Sequence, residues 1–115
     1  MDKPSVWLIG LRAALSRLGA PAGQQASYLR GVGVEDLADE LALEYHDYLV
    51  PARAELNIDE RAHRFLALCG TLDELLEDAE LGWRVVDLSS DGWQGVREAA
   101  QSALTDLDRI WPTVK

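Results

Sequence analysis

The side chains in this sequence best suited to metal chemistry are Glu60 and His63. Their Glu-x-x-His spacing places both on one helix face, as in the carboxylate-bridged di-metal centres of helical bundles. Such a centre also needs a second copy of the motif and two further glutamates. Glu40 and Glu44 could supply carboxylates, but no glutamate stands three residues before His46. We therefore favour a surface pair and predict no metal or other cofactor, with a metal-dependent enzyme as the alternative.

Nucleophilic catalysis has no matching pattern in this sequence. Cys69 falls in a predicted apolar stripe, where a buried thiol behaves as a small hydrophobic group. No Gly-x-Ser-x-Gly motif, phosphate-binding glycine loop or zinc-type cysteine pair is present. The sequence therefore predicts that the chain is not an enzyme.

The most distinctive local feature is an acidic segment, residues 34–49, that contains no lysine or arginine. Four of its carboxylates follow helical steps of four, four and three, which places them along one face: Asp36, Glu40, Glu44 and Asp47. Like charges at such steps repel one another, so the arrangement has a small energetic cost. One interpretation is a docking face for a basic partner, with Tyr48 beside it. The other is a solvated face paired with arginines elsewhere in the fold, such as Arg53, Arg61 or Arg64.

A second acidic run and an unusual tryptophan extend this hypothesis. The run consists of Asp73, Glu74, Glu77, Asp78 and Glu80. The two acidic runs form one broad negative surface only if they face the same side of the protein. Helical periodicity does not determine whether they do. Trp83 follows the second run in an irregular stretch, and it is the best candidate for an exposed aromatic anchor of an interface.

Charge and composition restrict the partner and the compartment. The chain of 115 residues has 20 acidic and 11 basic residues and a net charge of −9. Nucleic acids and anionic membrane surfaces attract clustered lysine and arginine, so this balance argues against both. A basic protein is the predicted partner. The single cysteine fits a reducing compartment, and no signal-peptide pattern or apolar run of membrane-spanning length occurs, so we predict a cytoplasmic protein.

Apolar periodicity and helix-forming composition predict an all-α fold, a single compact bundle of about five helices over residues 1–115. The predicted helices are 5–18, 21–30, 34–50, 59–79 and 90–110. Pro51 should end or kink the third helix, although residues 51–56 could continue past a bend. The fourth is either continuous through Gly70 or broken at Gly70–Thr71.

The predicted helix starts rest on capping residues. Asn57 or Asp59 should cap the fourth helix, and Ser89 or Ser90 the last. Between these two helices, Trp83 to Leu88 could form a short extended piece, but an isolated strand would lack a partner.

Two segments, residues 25–31 and 39–47, together resemble the sequence pattern of a known family. Their pattern of Gln-x-x-Tyr-Leu, a short glycine turn and then Asp-Glu-Leu-Ala-Leu-Glu-aromatic resembles a bacterial family of small acidic helical proteins of uncharacterised function. The resemblance implies a partner encoded near a toxin system, and hence an immunity or antitoxin-like role. The predicted function is a non-catalytic protein-binding module, in concrete form an immunity-type inhibitor. A homo-oligomeric structural protein, with the tryptophans at a dimer contact, is a further alternative, and a homodimer is possible.

Overall fold

Five α-helices make up most of the chain that the computed structural model describes, which is residues 6–33, 38–78 and 80–112. They are α1 (Val6–Leu18), α2 (Ala22–Gly31), α3 (Asp39–Leu56), α4 (His63–Leu76) and α5 (Asp91–Ile110). Two short 3-10 turns, Glu60–Ala62 and Val85–Ser89, precede α4 and α5, and the described residues contain no β-strand. The predicted all-α bundle of about five helices is therefore confirmed.

Helix α1 packs between α3 and α5, and α4 packs on α5. Arg17 of α1 lies beside Glu44 of α3, whereas Gly10 lies beside Tyr48, so α1 and α3 are antiparallel. The buried side of α1 is built from leucines at helical spacing, and aromatic side chains from the other helices complete the core. The largest of the fully buried side chains are Trp93, Tyr45, Phe65, Leu11, Leu15 and Leu18.

Gly10 allows α1 and α3 to approach closely. A methyl group on Gly10 would enter the space occupied by the Tyr48 ring. We expect Gly10→Ala to lower the free energy of unfolding by about 1–2 kcal/mol, since overpacking typically costs more than the ~1 kcal/mol that alanine gains in helix propensity. Urea denaturation measures the change. In a Tyr48→Ala background, the same substitution should become neutral or stabilising. Stabilisation of the otherwise native chain by Gly10→Ala would contradict this packing.

Pro51 does not end α3, which continues to Leu56. The helix end predicted at residue 50 is therefore wrong, and the alternative, in which residues 51–56 continue the helix, is confirmed. Proline removes the hydrogen bond to the carbonyl four residues earlier, here that of Asp47. Asp47 is exposed, so water can satisfy that carbonyl, while Ala52 and Leu56 bury the following turn in the core.

The fourth helix is continuous through Gly70, so the alternative break at Gly70–Thr71 is wrong. Phe65, Cys69 and Leu72 are fully buried on one stripe, and their packing outweighs the ~1 kcal/mol helix cost of glycine. The helix begins at His63, later than predicted, after the 3-10 turn.

Ser90 caps the last helix as predicted, whereas Asp59 caps the first 3-10 turn, and α4 itself begins after Ala62 without a side-chain cap. The side chain of Asp59 accepts a hydrogen bond of 2.9 Å from the backbone N–H of Arg61, at the start of the first 3-10 turn. Ser90 caps α5 by accepting from the backbone N–H of Trp93. Of the extended piece considered over residues 83–88, the part from Val85 onward forms the second 3-10 turn, whereas Arg84 before it has extended backbone angles.

Candidate functional site

Glu44 lies on the acidic helix but is engaged within the molecule. Its Oε1 is 3.3 Å from Nη1 of Arg17, and its Oε2 accepts a hydrogen bond from the Tyr28 hydroxyl. The Arg17 guanidinium also lies over the Tyr28 ring, 4.5 Å from its centroid. Only 21% of the Glu44 side chain is exposed. These contacts join α1, α2 and α3, so Glu44 is poorly placed to meet a partner.

The cation that pairs with Glu44 was not among the arginines considered from the sequence. Arg53 pairs with Asp73 instead, Arg61 with Asp59, and Arg64 lies 3.8 Å from Asp106. Helical periodicity shows which residues share a helix face. It does not show which neighbouring helix that face meets.

Tyr28 is held in its protonated form by its surroundings. Burial and the hydrogen bond to the Glu44 carboxylate raise the pKa of Tyr28 to about 12. The hydroxyl therefore stays a hydrogen-bond donor to Glu44 across the physiological pH range. The hydrogen bond between Tyr28 and Glu44 is therefore structural: it occupies the polar groups of both side chains within the molecule.

The remaining carboxylates of the acidic helix are more open. Asp47 is exposed, Glu40 is half-buried, and within the described residues neither has an ion pair. Asp36, predicted on the same face, lies outside the described residues. The first basic residue along α3 is Arg53, near its carboxyl end. The amino-terminal two thirds of α3 therefore carry no lysine or arginine of their own, and of the carboxylates there only Glu44 pairs with an arginine within the described residues.

Sequence reasoning missed two apolar side chains on this helix. Leu43 and Val50 are 51% and 68% exposed, and they are seven residues apart, so they share one side of α3. We call the side of α3 that faces away from the core the α3 outer face, defined by Asp39, Glu40, Leu43, Asp47 and Val50. Both apolar residues are out of phase with the buried stripe of Leu41, Tyr45 and Leu49, and this was the signal available in the sequence.

Tyr48 and Trp83 lie off the α3 outer face. Tyr48 is half-buried and covers Gly10 of α1. Trp83 is half-buried, not freely exposed, since its ring packs edge-on against Trp93 with centroids 5.7 Å apart. Their role in partner binding stays a prediction, but both have a packing role within the molecule.

The second acidic run begins on the other flank of α3. Asp73 is 3.4 Å from Nε2 of His46 and 3.1 Å from Nη2 of Arg53. His46 follows Glu44 by two residues, or roughly 200° around a helix, so the Asp73 and Glu44 contacts lie on different sides of α3. The other members of the run that the structure describes are exposed: Glu74, Glu77, Asp78 and Glu80.

The side chains that the sequence suggested for metal or nucleophilic chemistry do not come together within the described residues. Glu60 belongs to the first 3-10 turn and His63 begins α4, both exposed, and no three potential ligands gather at a metal site among the described residues. Cys69 is buried, and burial raises the pKa of its thiol to about 12, so it is a poor nucleophile at neutral pH.

An open groove of about 460 Å³ lies between α4 and α5. Ser102, Thr105 and Asp106 line it. The Asp106 carboxylate is bonded to Nε of Arg109 at 2.9 Å, with Arg64 nearby, so it is not placed to act as a general base. Glu98 also lines the groove, four residues before Ser102, but within the described residues no hydrogen bond joins Ser102 or Thr105 to a carboxylate.

Comparison of the chain with protein-family models, with curated proteins and with solved structures finds no match. Among the helices that the structure describes, none has the length and apolar character needed to cross a membrane.

Proposed function

We propose that this chain is a non-catalytic protein-binding module that docks a basic partner through the α3 outer face. The observation that carries the proposal is the pair of exposed apolar side chains, Leu43 and Val50, beside Asp39, Glu40 and Asp47. Protein interfaces commonly combine an apolar centre with a polar rim, and here the rim carries one sign of charge.

The acidic rim gives the face a preference among partners. Complementary charge accelerates encounter with a basic surface and disfavours acidic ones. A second copy of the chain would bring carboxylates against carboxylates, which argues against a homodimer through this face. The resemblance to immunity and antitoxin-like proteins supports a basic toxin, met in the cytoplasm, as the partner. The chain would then act as an immunity-type inhibitor.

The proposal is tested by reversing charge on the α3 outer face. Glu40→Lys/Asp47→Lys removes its negative character but leaves Glu44 and its internal contacts in place. The tagged chain is used to isolate partners from host lysate at low and high salt, and association rates are then measured with the identified, purified partner. At low salt the double variant should associate about tenfold more slowly or worse, because electrostatic steering is lost.

The matched control is Glu74→Lys/Glu77→Lys, which changes the net charge equally at two exposed positions, one in the last turn of α4 and one directly after it. It should leave association with the partner close to that of the unchanged chain. Equal slowing by both double variants would mean that only net charge matters, and it would overturn the assignment to α3. A purified partner whose binding neither variant alters would reject the proposal altogether.

A further inference from the structure

We infer that the segment docking on the α3 outer face is a single amphipathic helix that carries lysine or arginine on both sides of an apolar stripe. This inference rests on the proposed function and names the chemistry of the partner. It depends on the spacing of Leu43 and Val50 and on the placement of the acidic residues around them.

The apolar spacing suits a helix. Seven residues of continuous α-helix place Leu43 and Val50 roughly 10 Å apart along the axis of α3. A partner helix repeats its own apolar positions at the same interval, so two of its side chains can pack against these two at once. Ala54, one turn beyond Val50, is exposed and small, which allows close approach at that end.

The α3 outer face is less suited to an extended segment. Such segments usually bind by adding to the edge of a sheet, where unpaired backbone groups donate and accept hydrogen bonds. A helix satisfies its own backbone groups internally, and the described residues contain no strand that could provide an edge. Side-chain packing and charge are therefore the means of recognition that this face offers.

The charges flank the apolar pair. Asp39 and Glu40 lie one turn before Leu43, and Asp47 lies in the turn between Leu43 and Val50. Lysine or arginine at positions flanking a partner's apolar stripe would meet these carboxylates, as charged flanking positions do in paired helices. Because the α3 outer face has no basic residue, an acidic helix of the same shape would be repelled.

Three synthetic peptides of equal length, with blocked ends and a fluorescent label, test the inference. The first is a helix with leucine in heptad spacing and lysine at the flanking positions. The second has the composition of the first in a scrambled order without an apolar face, and the third replaces every lysine of the first by glutamate. Binding to the full chain is measured by fluorescence anisotropy at low salt.

Two variants separate the apolar contribution from the charge. Leu43→Ser/Val50→Ser removes the apolar pair, and Ile9→Ser is the control, because Ile9 is similarly exposed on α1. We expect the first peptide to bind at least tenfold more tightly than the other two. The apolar double variant should weaken its binding about tenfold, Glu40→Lys/Asp47→Lys should do the same, and Ile9→Ser should have little effect.

Different failures have different meanings. Equal binding of the lysine helix and its scrambled form, unaffected by Leu43→Ser/Val50→Ser but lost on charge reversal, would overturn the helical partner and leave the proposed acidic docking face standing. Equal binding to the unchanged chain and to Glu40→Lys/Asp47→Lys would overturn the docking face as well. Circular dichroism of each variant confirms that the altered chain is folded.

Discussion

Replacing Trp93 by alanine should lower the free energy of unfolding by about 3–5 kcal/mol, which is the usual cost of emptying a buried tryptophan site. Trp93 is fully buried in the first turn of α5, and its ring packs edge-on against Trp83. Its Nε1 also donates a hydrogen bond of 2.7 Å to the carbonyl of Gly82. The substitution would create a cavity and leave this carbonyl without its partner.

Urea denaturation followed by circular dichroism measures the loss. Trp93→Phe should cost less than Trp93→Ala, because it keeps much of the apolar volume while losing the hydrogen bond to Gly82. Trp7→Ala is the control, because 41% of Trp7 is exposed and its removal should cost clearly less than that of the fully buried Trp93. Similar urea midpoints for Trp93→Ala and Trp7→Ala would contradict the prediction that the buried Trp93 contributes much more to stability than Trp7.

Replacing Arg97 by methionine should destabilise the fold by about 2–3 kcal/mol, since it removes hydrogen bonds from buried acceptors. Nη1 of Arg97 donates to the carbonyl of Leu88 at 2.6 Å and to Oε1 of Gln25 at 3.3 Å. Gln25 in turn donates to the carbonyls of Arg17 and Leu18 at the end of α1. The network links α1, α2, the second 3-10 turn and α5.

Two effects compete at Arg97. Within the described residues the guanidinium has no carboxylate partner, so methionine also removes the desolvation cost of a buried cation. We expect the unmade hydrogen bonds to outweigh this gain, because the acceptors left behind are buried. Ser102→Ala is the control, since Ser102 is exposed on the same helix, and it should change stability by less than about 0.5 kcal/mol. Gln94 is not suitable, because its Oε1 accepts hydrogen bonds from Nε and Nη2 of Arg97 at 3.2 and 3.0 Å. A more stable Arg97→Met variant would show that desolvation dominates.

Local patterns in the sequence predicted the helices well. The buried stripe of α5, which includes Trp93, Ala100 and Leu107, follows directly from its periodicity, and two capping side chains were identified at Asp59 and Ser90. These features depend on residues within one or two helical turns of each other. Local spacing is therefore sufficient to predict them.

What the sequence did not reveal depends on contacts between helices. The pairing of Glu44 with Arg17 joins residues 27 positions apart, and that of Arg97 with Gln25 joins residues 72 apart. Arg97 lies on the apolar side of α5 and is buried. An arginine is usually exposed, so its residue type alone predicts the opposite. The continuation of α3 through Pro51 likewise depends on the burial of Ala52 and Leu56 against other helices. In the candidate site, the exposure of Leu43 and Val50 could have been predicted, because both lie out of phase with the apolar stripe of α3.

The contact between α1 and the end of α5 has a consequence for biosynthesis. Arg12 binds the carbonyl of Trp111 and the carboxylate of Asp108, and the first of these contacts spans 99 positions of the sequence. During translation, α1 leaves the ribosome long before α5 has been made. In that interval the leucine face of α1 has no α5 to pack against. Domains begin to fold as they emerge, but this core can close only after the last helix is released. Until then, the growing chain exposes the apolar surface that chaperones recognise.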